Sequence, residues 1–259
     1  VILWGSKHAA KLCYIDFGMG ADCSMHRFTR WPHPLRLSDM AFTMRITFSR
    51  SLPKFSISNQ ISFRLKPAVV LSSVGAQHAT GTGVIATLHR MEALLSDVSQ
   101  ATAFLRPGYY VETWSEVVGA VLADAVLPTF TEPDLKMPMV STIDVGRTAA
   151  SLLSETWSGQ RIVELGGPAD WSARDVADAF ATVLGRPIQP VFVPEADRPS
   201  VYAQAGVPPE VADALLGMYD GLATGRIARE GGREDRRGTT PLVKAVARIV
   251  ADAKAGNAI

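Results

Sequence analysis

Two short runs of this 259-residue chain carry groups able to grip a flat, polar ligand. Ser72, Ser73, Val74 and Gly75 close one apolar, strand-like run, and Pro107, Gly108, Tyr109 and Tyr110 close a second. A serine hydroxyl there can donate to an amide or sugar oxygen, a glycine lets a ring approach the backbone, and a tyrosine offers a face to lie against. Each residue also has a plainer role. Serines after strands often cap the next element, and a tyrosine pair at a helix start is commonly half core and half surface.

Other reactive groups form weaker patterns. His89 and Glu92 stand at H-x-x-E spacing on a helical stretch, without the second histidine of a zinc-hydrolase helix. His89 is a substrate-side candidate set against a packing role, and Glu92 has the alternative of bonding to a neighbouring loop. Cys13 and Cys23 make no C-x-x-C, so neither a disulfide framework nor a metal site is expected. The net charge of +1 argues against a nucleic-acid groove, and no apolar run reaches membrane-spanning length, so a cytoplasmic protein without nucleic-acid or membrane partners is expected.

That small net charge hides an asymmetry. Residues 1–66 carry ten Lys or Arg against three Asp or Glu, a net of +7, and the remainder carries −6. The first part offers short alternating runs at 44–48 and 55–61, interrupted by Pro32, Pro34 and Pro53, and no long amphipathic helix. It is expected to be an atypical basic segment, poorly organised or the remnant of a nucleotide-binding half.

From Pro67 the chain becomes regular. Strands are expected at 68–73, 101–107, 161–167 and 187–194. Helices are expected at 82–98, 109–125, from Asp144, at 171–185, 208–223 and 241–255. Ser172 with Asp175 makes a capping box, and Gly185 a terminator. Two short strands at 126–142 read as a hairpin or arm, and the charged run 229–240 as an exposed loop. Apolar strands alternating with such helices belong to a parallel sheet with crossovers, whose ligands bind beyond the carboxyl ends of the strands.

The blocks "VVLSSVGAQHATGTGVIATLHRMEALL", "ATAFLRPGYYVETW", "MVSTIDVGRTAASLL", "RIVELGGPADWSARDVADAFATVLGRPI" and "YDGLATG" together resemble the NmrA-like branch of the atypical short-chain dehydrogenase/reductases. The resemblance implies an incomplete Rossmann-like parallel sheet with a smaller C-terminal substrate-side subdomain. The NAD(P)-binding region with that subdomain would span 67–240, and a C-terminal helix 241–259. It implies NADP or NAD as cofactor, with NADPH favoured. Ser72, Ser73, Val74 and Gly75 would lie beside the ribose and nicotinamide, Pro107, Gly108, Tyr109 and Tyr110 would line the nicotinamide pocket, and Trp114 would face the substrate.

The phosphate-binding turn of such a site is the missing piece. In "DFGMGAD", Gly18 and Gly20 lack the third glycine of G-x-G-x-x-G, and no apolar helix follows. No Y-x-x-x-K follows Ser73 either; among members of that family this absence fits direct hydride delivery to a quinone-like acceptor and equally a regulator that only senses the cofactor. The expected function is an NAD(P)H-dependent oxidoreductase of the quinone or azo reductase type with a small aromatic acceptor. The alternatives are a non-catalytic NADP-sensing regulator or scaffold, or an inactive remnant. A homodimer or a regulatory protein partner stays open.

Overall fold

The structure, a computed structural model, describes residues 2–6, 9–13, 67–96 and 101–256. The glycines at 18 and 20 and the alternating runs at 44–48 and 55–61 lie outside the described residues.

Among the described residues six strands make the main sheet: β1 (Ile2–Ser6), β2 (Ala9–Cys13), β3 (Ala68–Leu71), β4 (Ala101–Pro107), β8 (Gly159–Gly166) and β11 (Glu234–Arg237). Their order is β11-β8-β4-β3-β1-β2. The four strands from β3 to β11 are mutually parallel, as the apolar runs separated by crossovers require. All seven residues of β4 are buried, which suits a strand covered on both faces. The edge of β3 is taken by β1 running antiparallel, with Ile2 opposite Val70 and Trp4 opposite Ala68. Ser6 and Ala9, the facing ends of the β1–β2 hairpin, therefore lie past the amino end of β3, away from its carboxyl rim.

One face of the sheet carries α1 (Ala86–Leu95), entered through a single tight turn at Gly83–Ile85. The other carries α3 (Thr142–Ser154), whose Val145, Ala149 and Leu152 pack on Val69, Ala103, Leu105, Val163 and Leu165. A second, larger core joins α2 (Val118–Asp124), α4 (Ala173–Leu184), α6 (Pro209–Ala223) and α7 (Leu242–Lys254) around Phe180, Leu127, Met139 and Val246. The capping box at the start of α4 forms as expected: the Asp175 backbone N–H donates to Ser172 Oγ, and the Ser172 N–H to the Asp175 carboxylate.

Three expectations are corrected. Residues 109–125 are not one helix. Tyr109–Tyr110 form β5, captured in parallel register by β7 (Met137–Val140), and a 3-10 stretch, Val111–Val117, precedes α2. The 126–142 region is not a hairpin. Its first piece, β6 (Val126–Thr129), pairs with β10 (Gln189–Phe192), and β7 pairs with β5 and with β9 (Asp170–Trp171). The 229–240 run is not only loop, since its "EDRR" is β11, the edge of the main sheet. There Arg161 and Arg236 are ion-paired to Glu234 and Glu155, and charge suits a strand with one open side.

Candidate functional site

The carboxyl rim of β3 and β4 is where the two chemically able runs meet. The Ser72 N–H donates to the Leu105 carbonyl at 2.7 Å and the Val74 N–H to the Pro107 carbonyl at 3.0 Å, so the parallel ladder continues past both strand ends. Residues 72–75 and 107–110 thus lie side by side. Helix α6 and the segment after it close over them. Between them is a small cavity of about 40 Å3, lined by Ser73, Gly108, Tyr109, Met218, Leu222 and Ile227 among others. Ligand pockets usually measure about 300–1,000 Å3, so this slot is mostly filled by the protein's own side chains.

Individual residues divide between the slot and its supports. Ser73 and Val74 line it, and the Ser73 hydroxyl bonds the adjacent Val74 carbonyl at 3.0 Å. Ser72, expected beside a ribose, is buried, and its hydroxyl donates to Glu92 on α1. Tyr109 lines the slot; Tyr110, its neighbour on β5, packs on the α3 side because successive strand residues face opposite ways. Burial and the Glu112 carboxylate push the Tyr110 hydroxyl up to about 12. Trp114, expected to face substrate, is only 6% exposed within the larger core, its ring tilted against Tyr109. His89 stays on α1 with Nδ1 2.9 Å from the Ala76 carbonyl, so it pins the loop after Gly75 instead of facing the slot.

Packing gives both glycines a role of their own. A Cβ on Gly108 would stand 2.3 Å from the Pro138 carbonyl oxygen on β7. A Cβ on Gly75, whose φ is +95°, would meet Ile227 at 3.1 Å. Both positions are already occupied by the protein itself.

Beneath the rim is a buried ion cluster. Arg106, the residue before Pro107, has a side chain 4% exposed, and its guanidinium makes a forked pair with Glu92 at 2.9 and 2.6 Å and a third bond to Glu230 at 3.0 Å. Burial works against its charge, but the two carboxylates outweigh it and the guanidinium pKa is raised. Ser72, α1, β4 and the segment after α6 are therefore tied through one side chain.

The residues that the sequence reading missed come from α6. Met218 and Leu222, one helical turn apart, line the slot, and Tyr219 beside them meets the Tyr109 hydroxyl at 3.1 Å. Phe130 lies edge-on to Tyr219 and Tyr202, extending an aromatic wall. Burial raises the Tyr109 and Tyr219 hydroxyls well above the ordinary tyrosine value, so both are neutral hydrogen-bonding groups at physiological pH. The i, i+4 spacing in "MYDGLA" was the available signal. Among the described residues no cluster of three His, Cys, Asp or Glu could hold a metal, and no helix is long and apolar enough to cross a membrane.

A parallel sheet with helices on both faces, its carboxyl rim opening under a second helical core, defines a Rossmann-like fold of the NAD(P)-binding kind. The chain shares this fold with solved NADPH-dependent reductases and, over part of its length, is similar in sequence to two curated dehydrogenases. A new type of NADPH-dependent quinone oxidoreductase from Escherichia coli superposes with a TM-score of 0.59 at 23% identity, over 70% of this chain and 66% of that one. Citrobacter sp. triphenylmethane reductase complexed with NADP(H) gives 0.56 at 16% identity, over 70% and 64%. In sequence, festuclavine dehydrogenase of Aspergillus fumigatus is 34% identical over 156 residues, 58% of this chain and 52% of its own length. Agroclavine dehydrogenase of Claviceps purpurea is 30% identical over 170 residues, 64% and 57%. The chain thus spans a little over half the length of these curated relatives. No protein-family model matches it.

Proposed function

We propose that the protein acts as an NAD(P)H-dependent oxidoreductase on a small aromatic acceptor of the quinone kind, with its described residues supplying the ring-facing side of the cleft. The observation that carries this reading is the Val74-to-Pro107 backbone bond, which joins residues 72–75 and 107–110 into one rim beneath Tyr109 and Met218. The neutral hydroxyl pair Tyr109 and Tyr219 gives that rim a polar point in an otherwise apolar wall. The relatives' names favour NADPH over NADH: one similar structure is an NADPH complex of the E. coli quinone oxidoreductase.

Among the described residues the strand next to β3 leads to no glycine-rich turn and helix start at the carboxyl rim, so they would hold the ring-facing part of a dinucleotide and not its pyrophosphate. A pyrophosphate needs backbone N–H groups at a helix start behind a glycine-rich turn on the carboxyl rim. The strand beside β3 is instead an antiparallel one whose hairpin ends point away from that rim, and the slot is nearly filled. This misfit favours a second reading, a chain that keeps the fold and the ring-facing wall without turnover, as a cofactor-sensing protein or an inactive remnant.

NADPH consumption by the full chain with a simple naphthoquinone, run beside calorimetry with NADPH, separates the two. Quinone-dependent consumption above the protein-free rate, reduced by Tyr109→Phe, is the expected result. Heat of binding without consumption would favour the sensor. Neither heat nor consumption would remove the reductase reading from this chain.

A further inference from the structure

One segment, residues 224–232, runs from the end of α6 towards β11 and contributes Ile227 to the slot wall. We propose that this segment is a strap that shuts the slot by seating Ile227 between the two rim loops, and that it opens on hinges at Gly225 and at Gly231 with Gly232. The inference rests on reading the slot as the ring-binding side of the cleft, and deepens it by saying what guards entry.

Ile227 is the plug. It is only 8% exposed, lines the cavity, and fills the space that a Cβ on Gly75 would need. The hinges are distinguished from the packing glycines by their surroundings. Gly225, Gly231 and Gly232 have φ of +71°, +74° and +66°, and nothing lies within 4 Å of where a Cβ would stand. Glycine is needed there for the backbone conformation alone, so the segment has an unobstructed backbone pivot at each end and its closure rests on Ile227 and Glu230.

The latch is Glu230. Its carboxylate accepts from Arg106 at 3.0 Å and from Arg233 at 2.9 and 3.1 Å, while its N–H donates to buried Glu164 at 2.9 Å. The Arg233 bond and then, against burial, the Arg106 bond hold the Glu230 carboxyl below the usual range, so it stays charged. The remaining ties are the Ile227 N–H to the Gly221 carbonyl at 2.9 Å, Arg226 to the Thr80 carbonyl at 2.9 Å and Gln77 to the Ala228 carbonyl at 3.0 Å. Arg229 in the same segment donates through Nη2 to Asp170 at 3.0 Å.

The latch is also placed to sense the rim. Arg106 holds Glu230 with one nitrogen and Glu92 with the other two, and Glu92 holds Ser72. A shift of either rim loop therefore changes the geometry of the bond that keeps the strap shut.

Amide hydrogen exchange on the full chain, wild type and Glu230→Gln, tests this directly. The Ile227 and Glu230 amides are expected to exchange on the order of 100-fold faster than the amides of β4, and the variant to speed them about tenfold more with β4 unchanged. Reduced nicotinamide mononucleotide, titrated by calorimetry, is then expected to bind the variant about tenfold more tightly, because the open population has grown. Ile227 and Glu230 exchanging no faster than β4 in both proteins would overturn the strap. Fast strap exchange without binding of the mononucleotide would support the strap and overturn the reading of the slot as a ring site.

Discussion

Replacing Glu92 by alanine is expected to destabilise the protein by about 3–5 kcal/mol, the usual cost of removing one partner from a buried ion pair. Glu92 takes two of the three bonds made by Arg106, whose side chain is 4% exposed, so the variant leaves most of a buried guanidinium without acceptors. Glu230 remains but contacts only one nitrogen and is shared with Arg233. The Ser72 hydroxyl loses its acceptor in the same step, which loosens the loop that forms half of the rim. The measurement is the urea midpoint, with the slope of the transition unchanged. A control separates burial of charge from packing. Glu92→Leu combined with Arg106→Met removes both charges and keeps bulk, and is expected to be much less destabilising than Glu92→Ala alone.

Gly108→Ala is the second large effect. The added Cβ would stand 2.3 Å from the Pro138 carbonyl oxygen and 2.8 Å from its carbon, both backbone atoms of β7. A flexible side chain could turn aside, but this backbone is held by the pairing of Tyr109 with Met139 and of Met137 with Trp171. Relief requires β5 and β7 to separate, which drags Tyr109 out of the slot wall. A loss of about 3 kcal/mol, at the upper end for overpacking, is expected in thermal or urea unfolding. Gly146→Ala supplies the contrast. Gly146 lies exposed within α3 with nothing within 4 Å of its Cβ position, so alanine there is expected to add about 0.5–1 kcal/mol.

These two sites also mark where sequence reading reaches its limit. Local rules sufficed for β4, a continuous apolar run, and for α4, whose Ser172, Asp175 and Gly185 spell out both of its ends. They sufficed as well for the neighbourhood of residues 72–75 and 107–110, because consecutive parallel strands bring their carboxyl ends together. They did not suffice where a distant partner decides. "YYVETWSEV" has helical spacing, yet β7 captures its first two residues as a strand and the helix begins only at Val118. "EDRR" looks like solvated loop until Glu155 and Arg161 are brought beside it.

The glycines repeat the lesson within the site. Gly108 also packs its backbone against Pro138, and the sequence holds nothing to indicate that contact. Ile227 lines the slot, and the tie next to it, Gln77 to Ala228, joins residues 151 positions apart. Side chains that converge over such separations leave no periodic trace, so the rim was legible and its cover was not.

Reception of a nicotinamide ring between the two rim loops can be read at the side chains that line them. Methyl groups of Val74, Met218, Leu222 and Ile227 line that space, while those of Val163 and Leu165 lie in the separate core against α3. Methyl NMR of the full chain during titration with NADPH reads both sets at once. Shifts at the first four, with Val163 and Leu165 still, are the expected result; an unmoved Val74, Met218, Leu222 and Ile227 at saturating NADPH would contradict it.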